Sequence, residues 1–280
     1  MADGSMIIID ESSMVATSLM FSLLSKVTGK YRFVFVGDVY QLPSIDHGQV
    51  LKDIIDSEVF PVAFFTKSFR FDDGIGQAAR AILHGVIPEF GDKVQFIECD
   101  KEIILDHALK MADKNSQVLS PIKEGDNGTK SLCRAIAKKL YPNINRVNGV
   151  GVGDTVINTK NDYEHDVFNG ERGRVVAVTD RNISVRYDSG TVEYSQDDKP
   201  IVLSYALTVH KCQGQEYSNV IIVLPPECPI MLQRQLIYTA VTRAKEKVII
   251  IGTRKGLETV LSNQFEIKRI TGLKEHLKLD

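Results

Sequence analysis

The sequence predicts an α/β protein with parallel sheet in two places and a small β module between them. Three observations carry this. Short apolar, β-branched runs alternate with helical stretches ahead of residue 92, and the same alternation returns after residue 200. Between Gly151 and Ile201 the texture changes to short strands separated by turn chemistry.

Taken in order, the apolar run 6–9 predicts a strand, 17–27 a helix, 32–36 a strand, 49–55 a helix and 62–65 a third strand. Strand, helix and strand in succession is the βαβ pattern of a parallel sheet. The pattern resumes with a strand at 94–97, a helix over 102–112, a strand at 118–119 and a helix near 129–140. Strands then follow at 155–159, 173–178, 183–187 and 192–194, with turns at Asn169-Gly170, 180–182 and Asp188-Ser189-Gly190, which reads as a small barrel or meander. A strand at 220–224, a helix near 232–241 and a strand at 248–251 close the series. Because α/β texture lies on both sides, the β module is expected as an insertion into the second α/β domain, joined through 142–145 and 197–200.

The chain has 280 residues, enough for about two domains of ordinary size. Its 43% hydrophobic and 25% charged residues belong to a globular protein. With 34 Lys and Arg against 36 Asp and Glu, the net charge of −2 offers no basic field, so any nucleic-acid contact must be local. Apolar runs such as 6–9 and 220–224 are far too short to span a bilayer, and no secretory pattern opens the chain, so no membrane partner is expected. Cys99, Cys133, Cys212 and Cys228 form no C-x-x-C pair; neither zinc nor a disulfide framework is signalled, and a reducing cytoplasm is the expected setting.

Residues 6–11, Met-Ile-Ile-Ile-Asp-Glu, form an apolar strand ending in two carboxylates, and parallel strands present their carboxyl ends to a ligand crevice. Asp10 could hold Mg²⁺ while Glu11 orients or deprotonates an attacking water. The bland alternative is a polar turn in which Asp10 or Ser12 caps the next helix. The strand at 32–36 ends in Gly37-Asp38 and then Gln41-Leu42-Pro43. These set a second carboxylate and an amide beside the first pair, unless they are turn punctuation alone. Arg70 and Arg243 could each fork onto a transferring phosphoryl group, although an arginine on a helix is more often a solvated surface residue.

The densest polar cluster is 204–217, with Thr208, His210, Lys211, Gln213, Gly214 and Glu216 immediately before an apolar strand. Hydroxyls and lysine satisfy phosphates and aromatics offer stacking surface, a mixture suited to holding nucleic acid without reading sequence. For His210 alone, a buried, hydrogen-bonded imidazole at a capped helix start is the competing reading. Gly149-Val150-Gly151-Val152-Gly153 lacks a following Lys-Ser or Lys-Thr and opens the β module, so it reads as a turn. Cys212 lies next to Lys211, but no base argues for a thiol enzyme.

In order, 9–14 (Ile-Asp-Glu-Ser-Ser-Met), 36–43 (Val-Gly-Asp-Val-Tyr-Gln-Leu-Pro), 66–70 (Thr-Lys-Ser-Phe-Arg), the 208–216 cluster and 238–245 (Tyr-Thr-Ala-Val-Thr-Arg-Ala-Lys) resemble the superfamily 1 DNA helicases, closest to the RecD-like branch. Each motif is short; their order along nearly the whole chain makes the resemblance specific. The stretch 156–173, with Asp166-Val167-Phe168-Asn169-Gly170, is similar to that branch's small SH3-like insertion. The resemblance implies two RecA-like (P-loop NTPase) parallel-sheet domains, the first incomplete, with an inserted SH3-like β-barrel. The division would be 1–91 for the first domain, 92–145 and 202–280 for the two segments of the second, and 146–201 for the barrel.

The resemblance further implies an ATP-dependent helicase moving 5′ to 3′ on single-stranded DNA, with ATP and Mg²⁺ in the interdomain cleft. Asp10 would be associated with Mg²⁺, Glu11 would activate water, Gln41 would sense the γ-phosphate, and Arg70 and Arg243 would be the two arginine fingers. Asp38, Gly214 and Glu216 would lie near the nucleotide. Thr208 and His210, with Lys211 and Gln213 in the same cluster, would meet single-stranded DNA, and Tyr238 and Thr242 would support the last motif.

The family's G-x-x-x-x-G-K-[ST] phosphate loop precedes its Asp-Glu motif, and here only nine residues stand ahead of Asp10. The chain is therefore expected to be part of a longer helicase or a split gene product, with an upstream domain or partner subunit carrying that loop, and to hydrolyse ATP very slowly alone. Two rival readings are a non-catalytic module binding single-stranded DNA or a subunit, and a nuclease using Asp10, Glu11 and Asp38 around a metal.

Overall fold

The computed structural model describes residues 4–65, 73–197, 199–226, 228–263, 269 and 271–279. Strand β1 (Met6–Ile9) leads through α1 (Thr17–Lys26) to β2 (Arg32–Phe35). β1 and β2 pair in parallel, Met6 opposite Arg32 and Ile9 opposite Phe35. The backbone then reaches α2 (Val50–Ser57). The strand expected over 62–65 does not form, and Phe64 and Phe65 stand exposed. Those residues fit a strand by propensity, but strand stability comes from paired neighbours, and the two-stranded sheet among the described residues does not take them in. The strands' carboxyl tips meet closely: Val36 N donates to Ile9 O at 2.9 Å and Ser12 N to Val36 O at 2.8 Å. A Cβ at Gly37 would lie 3.0 Å from Ser13 N and 2.8 Å from Leu51 Cδ2, so this approach requires glycine.

Helix α3 (Asp73–Leu83) forms where the sequence pattern predicts no element. It lies ahead of residue 92, where the second domain was expected to start, yet its Ile75, Ala78, Ala79 and Ile82 pack in the core of the second sheet. The chain continues through β3 (Val94–Glu98), α4 (Ile104–Met111), β4 (Ser116–Ser120) and α5 (Thr129–Leu140). A hairpin of β5 (Arg146–Val147) and β6 (Val150–Gly151) turns through Asn148 and Gly149, both at positive φ. Asn-Gly with two left-handed residues suits such a two-residue turn, so the glycine run here is a turn, as its sequence suggests.

Next come β7 (Thr155–Asn158), β8 (Arg172–Val178), β9 (Asn182–Arg186), β10 (Thr191–Ser195) and β11 (Ile201–Leu203), an antiparallel sheet in the order β10-β9-β8-β7-β11. Alternate residues Ile183, Val185, Val192 and Tyr194 face its own core, with Val156 and Val175. A Cβ on Gly173 would fall 2.4 Å from Val185 Cγ1, so a glycine lets the strands of this core close.

After β12 (Ala206–Thr208) come β13 (Tyr217–Leu224), α6 (Arg234–Val241), β14 (Ala244–Gly252), α7 (Arg254–Ser262) and α8 (Leu273–Leu277). The second sheet is parallel throughout, in the order β12-β4-β13-β14-β3. On β13, Val220, Ile222 and Leu224 join α3, α6 and α7 in one core cluster, while Ile221 and Val223 join α4 and α5 in another. Burial on both faces explains why β13 reads as one unbroken apolar run. Among the described residues no helix is long and apolar enough to cross a membrane.

The β module is fastened to the second sheet by a buried polar knot. Asp154, fully buried, accepts from Arg146 Nε at 2.9 Å and Nη2 at 2.8 Å, and from the Tyr205 hydroxyl at 3.0 Å. Arg146 also donates to the carbonyls of Ala137 and Tyr141, ending α5. The last residues return to the first unit: Arg269 donates to the carbonyls of Ser44, Asp46 and Gly48, Thr271 bonds buried Asp53, and α8 packs on α2.

Candidate nucleotide cleft and nucleic-acid interface

At the tip of β1 the chain turns sharply into a short 3₁₀ segment, Ser12–Met14. Glu11 sits there in the left-handed region, φ 49° and ψ 38°, an uncommon conformation for a non-glycine residue that strained turns at functional sites adopt. Its amide donates to Asp10 Oδ1 at 2.8 Å. Neither Asp10 nor Ser12 caps α1; the Ser12 hydroxyl instead donates toward the carbonyls of Ile9 and Val36, locking the two strand tips together. Asp10 remains exposed at the β1 tip.

The β2 tip is docked on α6. Asp38 Oδ2 accepts from the Tyr238 hydroxyl at 2.7 Å and from Gln41 Nε2 at 3.4 Å, while Oδ1 accepts from Tyr40 N at 2.9 Å. Both oxygens of Asp38 are thus engaged within the protein. Burial and then Asp38 push the Tyr238 phenol above its ordinary pKa, keeping it a neutral donor. Leu42 anchors the tip: its side chain enters the second sheet's core, its N–H donates to Thr239 Oγ1 at 2.9 Å, and its carbonyl accepts from Gln213 Nε2 at 2.8 Å.

Arg243, just beyond α6, is only 2% exposed. Its Nη2 donates to Gln41 Oε1 at 3.1 Å and its Nη1 to Gln215 O at 3.4 Å, whereas its buried Nε has no acceptor. No described carboxylate forms an ion pair with it. A buried guanidinium held only by neutral acceptors is costly unless an anion completes it. Thr242 is also buried, its hydroxyl donating to Thr239 O at 3.0 Å.

The polar cluster begins with a strand rather than a helix: β12 ends at Thr208, whose hydroxyl accepts from Lys211 N at 3.4 Å to cap the 3₁₀ segment Val209–Cys212. Burial lowers the pKa of His210, which keeps it neutral at pH 7. Lys211 is half-buried, and burial first and then the charge of Lys123 lower its pKa too. Gln213, grouped with the nucleic-acid residues by sequence, is buried and gives its amide to Leu42, so it ties the two units together instead of facing nucleic acid. Gly214 is exposed at φ 74°, and Glu216 pairs with Lys245 at 3.0 Å. Burial pushes the Cys212 thiol up to about 12, which rules it out as a nucleophile at neutral pH.

Arg70, with the rest of 66–70, lies outside the described residues. Lys123 is not among the residues the sequence singles out, and Gln215 lies within the 204–217 cluster without a role of its own there. Lys123 follows the carboxyl end of β4, the strand beside β12, but that adjacency comes from sheet order and is invisible in the sequence; only the glycine-bearing run 123–128 after a strand hinted at it. Among the described residues no group of three or more His, Cys, Asp or Glu could hold a metal.

Family models match in two places: an AAA domain over residues 1–103 and a UvrD-like helicase C-terminal domain over residues 203–251. The chain is 33% identical to the ATP-dependent RecD2 DNA helicase of Deinococcus radiodurans over 98% of its own length and 40% of that protein. It is 30% identical to the RecBCD enzyme subunit RecD of Mycolicibacterium smegmatis over 97% of its length and 54% of that subunit. The chain is a homologue of the RecD-like superfamily 1 helicases. This RecD-like chain thus spans about half, or less, of the relatives' length. Its fold is similar to that of Pif1 helicase from Bacteroides, solved with ADP-AlF3 and ssDNA, with a TM-score of 0.58 at 20% identity over 88% of this chain and 70% of that one. Pif1 helicase from Candida albicans aligns with a TM-score of 0.52 at 17% identity over 98% of this chain and 76% of that one. Both likenesses bear on fold alone, and they agree with the parallel α/β sheets of the RecD-like chain.

Proposed function

We propose that this chain forms the catalytic strand tips and second motor domain of an ATP-dependent helicase that translocates 5′ to 3′ on single-stranded DNA. One observation carries the reading: Arg243 is a buried guanidinium beside Gln41 with an unsatisfied Nε and no described carboxylate partner, a cation awaiting an anion at the meeting of two α/β units. A phosphoryl group fits that need, because arginine forks onto its oxygens and stays charged.

In this reading Asp10, exposed at the β1 tip, is the Mg²⁺ residue, and a single carboxylate suffices because Mg²⁺ keeps waters and phosphate oxygens as its other ligands. The ion would neutralise phosphate charge when bound. Glu11, aimed by its left-handed backbone, accepts a proton from the attacking water. Gln41 turns its amide so that Nε2 leaves Asp38 to donate to the γ-phosphate while Oε1 releases Arg243, and Arg243, with Arg70, stabilises charge in the transition state. Gly214 and Glu216 border the nucleotide, and Thr208, His210 and Lys211 hold the DNA backbone. Closing and reopening of the cleft would alternate the grip on DNA.

The domain division we adopt is 1–91, 92–145 with 202–280, and 146–201, the last as an SH3-like barrel. The 280 residues contain no G-x-x-x-x-G-K-[ST] run, so in this reading the phosphate loop comes from an upstream segment or a partner subunit. The apolar residues left exposed on β1 and α1 support a neighbour there, since parallel sheets are normally covered on both faces. Four free thiols fit the reducing cytoplasmic setting that we include in the reading.

The test is ATP hydrolysis with and without single-stranded DNA, by the chain alone, by the chain joined to an upstream phosphate-loop segment, and by the joined form bearing Glu11→Gln. Only the joined form with intact Glu11 is expected to respond to DNA. A joined form that binds DNA but stays inert would replace this reading with a non-catalytic binding module.

A further inference from the structure

Three parts of the molecule meet at residues 213–217. Gln213 reaches to the first unit, its amide donating to Leu42 O at 2.8 Å. Gln215 reaches the other way, its Nε2 donating to Gly170 O at 2.8 Å in the β module. Between them Gly214 takes φ 74°, the left-handed turn that sends two neighbouring glutamines to opposite partners. The backbone carbonyl of Gln215 accepts from Arg243 Nη1 at 3.4 Å, and its side-chain Oε1 accepts from the Tyr217 hydroxyl at 2.5 Å. Tyr217 N in turn donates to Arg243 O at 2.9 Å, and the Arg172 guanidinium of β8 lies 5.4 Å from the Tyr217 ring centroid. Gln215 therefore touches the cleft arginine with its main chain and the β module with its side chain.

The far end of this path is well ordered by hydrogen bonds. Gly170 N donates to Asn158 O at 2.9 Å, Asp162 and Val167 exchange backbone bonds at 2.7 and 2.9 Å, and Asp162 Oδ2 binds His165 Nδ1 at 2.8 Å. Tyr163 and Phe168 meet edge to face, 6.2 Å apart, in the same excursion between β7 and β8. An element held this firmly moves as one piece, so a shift of Gly170 O repositions the whole 159–171 excursion rather than one residue.

We propose that Gln215 is a positioning residue that links Arg243 in the interunit cleft to the β module, so that the partner Arg243 holds sets where the 159–171 excursion stands. The proposal rests on the reading of Arg243 as the cleft's anion-seeking group. When an anion replaces Gln41 at Arg243, the Gln215 carbonyl stays the guanidinium's one protein acceptor among the described residues, so movement of the guanidinium toward the anion is passed to Gln215. The side chain of Gln215 carries that displacement to Gly170. The β module would thereby move with the cleft while making no contact with nucleotide.

Hydrogen exchange on the 280-residue chain tests this without any need for hydrolysis. The amides of Asp162, Val167, Gly170 and Glu171 report on the excursion, and Gln41→Ala perturbs Arg243 from the first unit. In the unmodified background Gln41→Ala should speed exchange of those amides by roughly three- to tenfold, the loss of about one net hydrogen bond. In a Gln215→Met background, which keeps side-chain volume and removes the amide, Gln41→Ala should change them no further. Equal responses in the two backgrounds would make Gln215 a local brace and overturn the proposal, and so would an excursion that ignores Gln41→Ala altogether. Arg243→Lys serves as a second perturbation should Gln41→Ala disturb the β2 tip. Inert hydrolysis with the coupling intact would count against the helicase reading alone, and brisk hydrolysis without the coupling would count against this linkage alone.

Discussion

The two parallel sheets begin from nearly the same kind of sequence and end in opposite environments. β1 reads Met-Ile-Ile-Ile and β13 carries Val-Ile-Ile-Val-Leu, yet Ile8 of β1 is 63% exposed while Ile222 of β13 is fully buried. The difference lies in neighbours. β13 has β4 and β14 on its two sides and helices on both faces, whereas among the described residues β1 pairs with β2 alone, and α1 leaves Phe21 73% exposed. An apolar strand is a demand for cover, and only the rest of the fold decides whether it is met. The less covered unit nevertheless holds Glu11 in the left-handed region and Gly37 where a Cβ would crowd Leu51, at tips braced by Ser12 and by docking on α6.

That contrast can be broken or sharpened experimentally. The largest effect is expected at the β1 tip: Glu11→Gln in the chain joined to a phosphate-loop segment should lower DNA-stimulated hydrolysis by roughly a hundred- to ten-thousandfold, the range of a general base. Steady-state rates check this, and a variant within severalfold of the unmodified protein would remove Glu11 from the chemistry. Next is packing. Ile222→Ala should destabilise by about 3 kcal/mol, while Ile8→Ala should change stability by less than about 0.5 kcal/mol in the isolated chain. Urea denaturation followed by circular dichroism compares them, and equal losses would mean that β1 is covered in solution by contacts beyond those described.

A smaller effect separates strain from function at the same tip. Glu11→Gly should raise stability by about 1 kcal/mol by relieving the left-handed backbone, and should still abolish DNA-stimulated hydrolysis. A loss of stability would indicate that the Glu11 side chain has a packing role. The smallest effect concerns pH. His210 binds its proton less readily in the folded protein than in the unfolded chain, because burial disfavours the imidazolium. Its contribution is complete above pH 6.5 and is lost as pH falls through that value toward the folded pKa, since the unfolded state then binds more protons. His210→Gln should therefore flatten the fall in melting temperature between about pH 7 and 5, and parallel curves for the two proteins would contradict it.

Much of the fold was legible because periodicity reports local geometry and burial together. The strands at 6–9, 32–36, 94–97, 220–224 and 248–251 all appear within a few residues of the expected bounds, since each is a short run rich in apolar residues between helical stretches. The strand expected at 62–65 does not form, because a propensity without a partner does not make a ladder. β12 was hidden because it is only three residues long and precedes polar residues. Of the candidate site, residue types at strand tips were readable, as at Asp10, Glu11 and Asp38. Partners were not: Asp38 bonds Tyr238, Gln213 bonds Leu42 and Lys123 stands by Lys211, each across a long stretch of chain.

By itself the sequence determined the α/β class, the β texture between Gly151 and Ile201, the order of the motifs and the resemblance they carry. Those follow from hydrophobic spacing, turn chemistry and residue type, which act over a few neighbouring residues. Tertiary structure alone decided that Arg243 is buried and lacks a described carboxylate partner, that Leu42 anchors one unit in the core of the other, and that Gln215 joins the cleft to the β module. Burial, desolvation and hydrogen-bond partnership are properties of what surrounds a residue, and sheet order and packing choose those surroundings.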